Sequence, residues 1–277
     1  DNSLLPTWLL SRFTRRHVTV ALGGDGADEL FAGYDTFRGL HQAETYARWM
    51  PRPLHHALRA LAGLLPVSHA NLSFDFKMKK GLGGVSHPAP LWNAAWLGAL
   101  GPDELARVFG GPVDLEEVYS EAIEIWDTCP QPDLLHRTLQ FYTEIYLQDG
   151  ILAKVDRASM MHGLEARSPF LDRDVADFAR RLPGHCKLRN RTSKYLLKKA
   201  LEPLLPADIL YRKKKGFGTP VGAWFRTGRL APSSTAAVVQ KRLARHQSGR
   251  TDDRLFLWCQ LTLDEWLKRR KASGGFV

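Results

Sequence analysis

The sequence predicts an α/β protein that is rich in helices and contains a parallel sheet. The stretch Val18–Leu22 is a short apolar run with β-branched residues, which is typical of a strand buried on both faces. Gly23, Gly24 and Gly26 follow, and the pattern then becomes helical, which indicates a strand, a tight turn and a helix start. A buried parallel strand needs ladder partners. We therefore expect further strands that the pattern does not reveal, or strands that precede Asp1.

The elements before residue 130 are predicted from apolar spacing and capping residues. Residues 3–15 form a helix with an apolar stripe that contains Leu9 and Phe13. The pattern from Gly39 to Leu65 is helical but interrupted by two prolines. Residues 72–82 are ambiguous between strand and helix, and we interpret them as helix. Further helices are predicted around Trp92–Trp96, Asp103–Phe109 and Asp114–Trp126.

The second half of the chain is predicted to be helical between breaker segments. After the Pro-rich residues 129–132, the longest helical pattern covers Asp133 to about Leu147. Residues 148–150 are expected to kink this helix before it resumes through Met161. Later helices are predicted at Asp172–Arg181 (with Asp172 as its cap), Thr192–Leu204 and Thr251–Arg270.

Composition excludes several classes of protein. The chain has 44% apolar residues, no apolar run of about 18 residues and no secretory signal, so we expect neither a membrane span nor export. Three distant cysteines favour neither disulfides nor zinc, and a reducing cytoplasm fits best. The net charge of +10 is compatible with nucleic acid or an anionic nucleotide. No nucleic-acid motif is present, so a solvated basic face is the simpler interpretation.

Acidic residues surround the glycine-rich turn. Asp25, Asp28 and Glu29 would repel a bare phosphate, although the glycines and the helix start favour one. A divalent cation such as Mg²⁺ between carboxylates and phosphate would resolve this conflict. The alternative is an ordinary turn whose acids favour a helix start.

Two further segments concentrate charge. Asp156, Arg157, Glu165 and Arg167 stand in an otherwise apolar block, where they either form internal ion pairs that fix a corner or line an amino-acid pocket. The segment Arg212–Gly218 combines four cations with glycine. It is either a mobile loop that closes over a polyanion or a solvated charge run.

Three motifs in order resemble the synthetase domain of glutamine-dependent asparagine synthetases. They are G-D-G-A-D-E-L-F-A-G-Y (24–34), D-R-A-S-M…E-A-R-S-P-F-L-D (156–172) and R-K-K-K-G-F-G-T-P (212–220). The resemblance implies that residues 1–277 are the C-terminal part of an ATP-pyrophosphatase (adenine nucleotide alpha-hydrolase-like) domain. The family's pyrophosphate loop and glutaminase domain would lie upstream. This piece alone is then expected to be inactive, and a homodimer is compatible with the resemblance.

The resemblance also implies a reaction and its residues. Aspartate would be adenylated by ATP to β-aspartyl-AMP, and ammonia, released from glutamine elsewhere in the parent, would displace AMP. By motif, Asp28 resembles the residue that binds Mg²⁺ and pyrophosphate, Gly24 the backbone contact to the adenylate, and Lys214 the lysine on the phosphates. Asp25 resembles the acid that positions ammonia, and Asp149 is the candidate for a second acid.

Two departures from the family pattern concern the same turn. Gly23 replaces a serine of many relatives, so it would offer only backbone to the nucleotide. Asp25 is one methylene shorter than the glutamate of some relatives. The sequence leaves other amide-forming enzymes open, namely a β-lactam synthetase, a peptide macrolactam cyclase or a polysaccharide-associated amidotransferase. A non-catalytic basic domain is the alternative from another class.

Overall fold

The computed structural model describes residues 1–68, 73–212 and 216–273. The chain divides into two compact units. The first contains residue 1, residues 3–49 and residues 121–218, and the second contains residue 2, residues 50–120 and residues 219–277. The glycine-rich turn and both charged segments belong to the first unit.

The elements are mostly helices. The first nine helices and the first strand are α1 (Leu4–Thr14), β1 (Val20–Leu22), α2 (Ala27–Leu30), α3 (Asp35–Trp49), α4 (Arg52–Gly63), α5 (Phe74–Gly84), α6 (Trp92–Leu97), α7 (Pro102–Phe109), α8 (Leu115–Val118) and α9 (Ser120–Thr128). The rest are α10 (Leu134–Phe141), α11 (Ala153–Met160), β2 (Glu165–Arg167), α12 (Arg173–Arg181), α13 (Gly184–Lys187), β3 (Leu188–Arg189), β4 (Thr192–Ser193), α14 (Tyr195–Leu201), α15 (Ala207–Leu210), α16 (Val221–Arg226), α17 (Ala237–Gln247) and α18 (Arg254–Ala272).

Most predicted helices are confirmed, although several differ in extent. The segment Asp114–Trp126 is not one helix, because α8 ends at Val118 and α9 begins at Ser120. The helix predicted from Thr192 begins only at Tyr195, since Thr192 and Ser193 pair as β4 with β3. Asp172 caps α12 as expected, because its side chain accepts a hydrogen bond from the N–H of Asp174 at 3.0 Å.

Strand β1 is real, but the prediction that it is buried on both faces is wrong. Val18, Val20 and Leu22 are 44%, 38% and 73% exposed. The physical reason is that β1 pairs only with β2, in parallel, and no third strand joins this sheet within the described residues. Neither face of such a ribbon is closed, although its apolar composition suits a closed sheet.

Helix α1 has its predicted bounds but not an apolar face in the core. Its buried members are Thr7 and Ser11, while Leu9 and Phe13 are 59% and 60% exposed. The small polar residues allow α1 to pack closely on α11. The first unit therefore exposes apolar side chains of both α1 and β1.

The predicted kink at residues 148–150 is replaced by a change of helical type. Between α10 and α11 the chain forms a π-helix over Tyr142–Leu152, so the helical path continues rather than breaking. A π-helix admits an extra residue per turn and is frequent at functional sites. Asp149 lies within it, and the segment packs against α2.

Each unit has its own apolar cluster. In the first, Leu30 of α2 and the following Phe31 pack with Ala179 of α12, and this contact fixes the helix that follows the glycine-rich turn. In the second, the buried cluster joins α16, α17 and α18, and its members are Val221, Phe225, Val239, Leu243, Phe256 and Leu257. No described helix is long and apolar enough to cross a lipid bilayer.

Candidate active site

The glycine-rich turn begins at the carboxyl end of the parallel strand pair. Leu22 stands opposite Arg167 in the ladder, and the N–H of Gly23 donates to the carbonyl of Arg167 at 2.7 Å. In parallel sheets, ligands bind outside the carboxyl ends of the strands. The turn therefore leaves β1 at the edge where a substrate is expected.

Two glycines of the turn, Gly26 and Gly24, have different structural roles. Gly26 has φ = 88°, and a Cβ there would lie 2.3 Å from Cδ2 of Leu171, so only glycine fits. A Cβ at Gly24 would meet nothing within 4 Å. The backbone of Gly24 is therefore open for close approach by a ligand.

Asp28 is held by an ion pair that the sequence did not reveal. Nζ of Lys194 lies 2.9 Å from Oδ1 of Asp28, and about a quarter of each side chain is exposed. A Cβ at Gly33 would lie 1.9 Å from Oδ1 of Asp28 and 2.4 Å from Cε of Lys194. The pair thus packs directly on the bare backbone of Gly33.

Lys194 is placed by its backbone. It has φ = 54°, an uncommon value for a lysine, and its N–H donates to the carbonyl of Phe31 at 3.0 Å. Because Phe31 directly follows α2, this hydrogen bond joins the start of α14 to the helix that carries Asp28.

Asp25 and Lys154 are two opposite charges of the site that influence each other electrostatically. Burial raises the pKa of Asp25, nearby Asp28 raises it further, and the positive charge of Lys154 opposes both. Burial likewise lowers the pKa of Lys154, against the effect of Asp25 and Glu29. An aspartate with a raised pKa is a better proton acceptor than an ordinary one, which suits general-base chemistry.

Lys154 also ties α11 to the start of the chain. Its Nζ donates to Oδ2 of Asp1 at 2.9 Å and to Oγ of Ser3 at 2.7 Å. Only 12% of the lysine side chain is exposed. The ammonium group is therefore fixed in position near the acids of the turn.

A buried carboxylate supports the site from behind. Glu29 is 2% exposed and accepts a hydrogen bond from the hydroxyl of Tyr34, whose pKa is raised by burial and by Glu29. The rings of Tyr142 and Tyr146 lie 5.2 Å and 5.7 Å from that of Tyr34. Burial raises the pKa of each of these two tyrosines to about 12. The acidic motif thus places one carboxylate in an aromatic cluster and leaves Asp25 and Asp28 nearer solvent.

The other predicted site residues are less constrained. Asp149 is exposed and makes no side-chain hydrogen bond or ion pair within the described part of the chain. Lys214 lies outside the described residues, as do its neighbours 213 and 215. Arg212 before them is exposed, and so is Phe217 after them, at 57%.

The charged block 154–172 does not contain the expected internal ion pairs. Glu165 and Arg167 do pair, at 2.6 Å, but their side chains are 54% and 62% exposed. Asp156 and Arg157 are also exposed. The reason is geometric: β2 is uncovered, so its polar side chains remain in water. The buried charge of this block is Lys154, which precedes the residues singled out.

The described residues do not by themselves form a metal site. No group of three or more His, Cys, Asp or Glu side chains that could hold an ion occurs among them. Mg²⁺ is usually held by one or two carboxylates together with substrate phosphates. Asp28, with Asp25 close enough to influence it electrostatically, fits that kind of donor set.

Lys194 and Lys154 are the site residues that sequence reasoning missed. Lys194 is far from the turn in sequence, and no local pattern marks it. Lys154 could have been found, because a lysine on a largely apolar helical segment is an unusual residue to bury.

The structure is an α/β fold in which acidic residues and lysines lie together at the carboxyl end of two parallel strands. Proteins with open parallel sheets bind small molecules at that edge. The asparagine synthase family matches residues 1–268, and the chain belongs to that family. None of the solved structures matches the chain.

Named relatives agree with the family. The chain is 31% identical over 284 residues to a Mycobacterium bovis protein called "Putative asparagine synthetase (glutamine-hydrolyzing)", covering 96% of this chain and 42% of that one. It is 28% identical over 296 residues to "Asparagine synthetase (glutamine-hydrolyzing) 1" of Bacillus subtilis, covering 96% and 43%. A Gibberella zeae protein called "Amidase chry2" is 25% identical over 227 residues, covering 75% and 33%. The chain therefore spans less than half the length of these relatives.

Proposed function

We propose that this chain is part of an ATP-dependent ligase that converts aspartate to asparagine. The observation that carries the proposal is the gathering of Asp25, Asp28, Lys154 and Lys194 around the turn after β1. Family membership and the names of the relatives support the same reaction class.

The proposed reaction has two steps. An oxygen of the aspartate β-carboxylate attacks the α-phosphorus of ATP, and pyrophosphate leaves. The nitrogen of ammonia then attacks the activated carbonyl carbon, AMP leaves, and a proton passes from nitrogen to Asp25. The raised pKa of Asp25 favours this role as proton acceptor.

The lysines and the glycine backbone of the site are proposed to bind the phosphates of ATP. Lys194 and Lys154 place two fixed positive charges beside the turn, and Lys214 adds a third from the basic segment in this proposal. Gly24 offers its open backbone to the adenylate, as Gly23 does in part. Fixed positive charge where negative charge develops lowers the barrier to phosphate departure.

Asp28 is the residue proposed to hold Mg²⁺ against pyrophosphate. The metal would neutralise phosphate charge and orient the leaving group. Asp149, on the π-helical segment packed against α2, is proposed as a further acid, and its exposure leaves it free to meet a ligand.

The proposed enzyme is larger than this chain. We propose that residues 1–277 form part of a synthetase domain, with a pyrophosphate loop and a glutaminase domain supplied by preceding residues in a cytoplasmic parent. The open ribbon of β1 and β2, the exposed apolar face of α1 and the chain's 42% share of its relative support this proposal.

A second acyl substrate has specific support. The relatives include proteins called amidases at 24% and 25% identity, so the same apparatus could amidate another carboxylic acid. The discriminating experiment is exchange of labelled pyrophosphate into ATP by the full-length polypeptide with a panel of carboxylic acids. Exchange that depends on aspartate is expected. Exchange that requires another acid would favour the second substrate, and no exchange with any acid would contradict the ligase.

A further inference from the structure

The second unit contains a cavity that the proposed reaction does not use. It has a volume of about 410 Å³ and lies among α4, α5, α7, α17 and the start of α18. Small-molecule sites commonly have volumes of about 300–1,000 Å³. Among the residues that the structure describes, none of those assigned to the proposed reaction lines it.

Positive charge predominates in this cavity. Seven Lys or Arg side chains and five Asp or Glu side chains are among the described residues that line it. Every carboxylate has a cationic partner. Arg59 contacts Asp103 at 2.5 Å, and Lys79 contacts Asp75 at 3.7 Å. After these ion pairs are taken into account, the cavity still carries an excess of positive charge.

A fixed bridge joins two of the walls. Arg242 of α17 contacts Glu104 of α7 and Asp253, each at 2.7 Å, with only 18% of the arginine side chain exposed. These contacts satisfy both carboxylates. The charge of Arg242 is consequently neutralised within the protein, and its two ion pairs hold α17 to α7 and to Asp253.

Three other arginines of the cavity have no such partner among the residues that the structure describes. Arg107 follows Glu104 by one helical turn, and Arg245 follows Arg242 in the same way, so each shares a face with one end of the bridge. The N–H of Arg250 donates to the carbonyl of Arg245 at 3.0 Å, which keeps the two residues together. Within the described part of the chain, the side chains of Arg107, Arg245 and Arg250 form no ion pair. All three are exposed and line the same cavity.

Lys80 adds a largely buried positive charge to the same wall. Its Nζ donates to the carbonyls of Gly98 and Ala95, which are neutral acceptors. Burial lowers the pKa of Lys80, and Glu104 only partly offsets this. A negatively charged ligand in the cavity would stabilise the ammonium form of Lys80.

We propose that this cavity is a binding site for a small polyvalent anion that carries phosphate groups. Guanidinium groups match phosphate oxygens with two parallel hydrogen bonds, and three unpaired arginines at one cavity provide several such donors. The site is distinct from the proposed active site in the residues that form it.

Calorimetric titration of the full chain with inorganic pyrophosphate, in EDTA and at low salt, tests this site. Saturable binding with one site attributable to the cavity is expected. Arg107→Gln and Arg245→Gln should each weaken it by about tenfold, since each removes a charged phosphate contact. Arg229→Gln is the matched control, because Arg229 is also an exposed arginine of the second unit but does not line the cavity. It should leave the affinity within about twofold.

A second readout uses the unaltered protein. Pyrophosphate should protect Arg107, Arg245 and Arg250 from phenylglyoxal, as measured by peptide mass spectrometry, while Arg229 continues to react. Binding that is unchanged in both Arg107→Gln and Arg245→Gln, or arginines that react equally with and without pyrophosphate, would overturn the proposal. So would the absence of saturable binding.

Discussion

Lys194 lies 2.9 Å from Asp28, and the two side chains occupy the space that any side chain at residue 33 would need. This relationship joins residues that are far apart in sequence. It also gives Gly33 a role that its backbone conformation does not require, since Gly33 is not among the residues with positive φ. The absence of a side chain at residue 33 is therefore a packing requirement of the Asp28–Lys194 pair.

Gly33→Ala should separate this ion pair. The added Cβ would fall 1.9 Å from Asp28 Oδ1, so the carboxylate or the lysine must move. We expect a loss of about 1–3 kcal/mol in the free energy of unfolding, as is usual when a methyl group is forced into filled space. Urea denaturation measures it.

Gly39→Ala is the matched control. Gly39 lies in α3, and a Cβ there would meet nothing within 4 Å. Alanine should therefore stabilise the helix by up to about 1 kcal/mol. Equal effects of the two substitutions would contradict the packing role of Gly33.

Lys194→Met should affect activity more than stability. The pair is partly exposed, so its loss should cost about 1 kcal/mol or less in the free energy of unfolding. In the full-length polypeptide, pyrophosphate exchange should fall by about 100-fold, because a fixed cation beside the phosphates is removed. Lys194→Arg should recover part of the exchange. Normal exchange in Lys194→Met would contradict a role for Lys194 beside the phosphates.

Asp25→Asn should stabilise the protein near neutral pH. The pKa of Asp25 is raised above 3.8, mainly by burial, so the native state holds this proton more tightly than the unfolded chain. Ionisation therefore costs stability above the native pKa, and this cost is absent below the unfolded pKa. The variant should melt at a higher temperature than the parent at about pH 7 and show little difference at about pH 3.

Asp264→Asn provides a control of opposite sign. Burial opposes its ionisation, but hydrogen bonds from Gln260 and from the N–H of Ser234 lower its pKa overall. Its charge therefore adds stability above the unfolded pKa, and this is lost as the pH falls through the native pKa. Asp264→Asn should lower the melting temperature at about pH 7, with a smaller effect in acid. If both variants shifted in the same direction at neutral pH, the environment assigned to Asp25 would be wrong.

The exposed ribbon and helix should promote association of the chain. Leu22 is 73% exposed beside the open edge of β1, and Phe13 is 60% exposed on α1. Leu22→Thr and Phe13→Ser should reduce light scattering at a given concentration without a large change in melting temperature. Leu64→Ser serves as control, because Leu64 is 80% exposed in the second unit. If the control reduced scattering equally, general surface apolarity rather than this face would be responsible.

The helices were predictable where periodicity and caps coincide. Acidic caps or first turns and proline breaks predicted the limits of α4, α7 and α12 and the start of α10 to within a few residues, whereas α10 ends earlier than predicted, at Phe141. Strand β2 was not predictable, because Glu165-Ala166-Arg167 has neither β-branched residues nor apolar alternation. Its strand conformation is set by pairing with β1. Helix α17 was missed because charged residues interrupt its apolar stripe, so only tertiary packing reveals it.

The site was predictable only in its local part. Gly24, Asp25 and Asp28 stand together in one motif, and the structure places them at one turn. Lys194 is held near Asp28 because its backbone N–H donates to the carbonyl of Phe31. No pattern in the sequence indicates this long-range contact. Glu29 could not be distinguished from its neighbour Asp28 by sequence, because burial separates their environments.

The central claim is that two acids of one turn serve different steps, with Asp28 in adenylation and Asp25 in the transfer of ammonia. The most direct measurement compares Asp28→Asn and Asp25→Asn in the full-length polypeptide, by aspartate-dependent exchange of labelled pyrophosphate into ATP and by formation of asparagine from ammonia. Asp28→Asn should lose both activities by about 100-fold or more. Asp25→Asn should keep exchange while asparagine formation falls by about 100-fold or more. Equal loss of exchange in both variants would place Asp25 with Asp28 at the metal and leave Asp149 as the acid that handles ammonia, and normal activity in both would contradict the site.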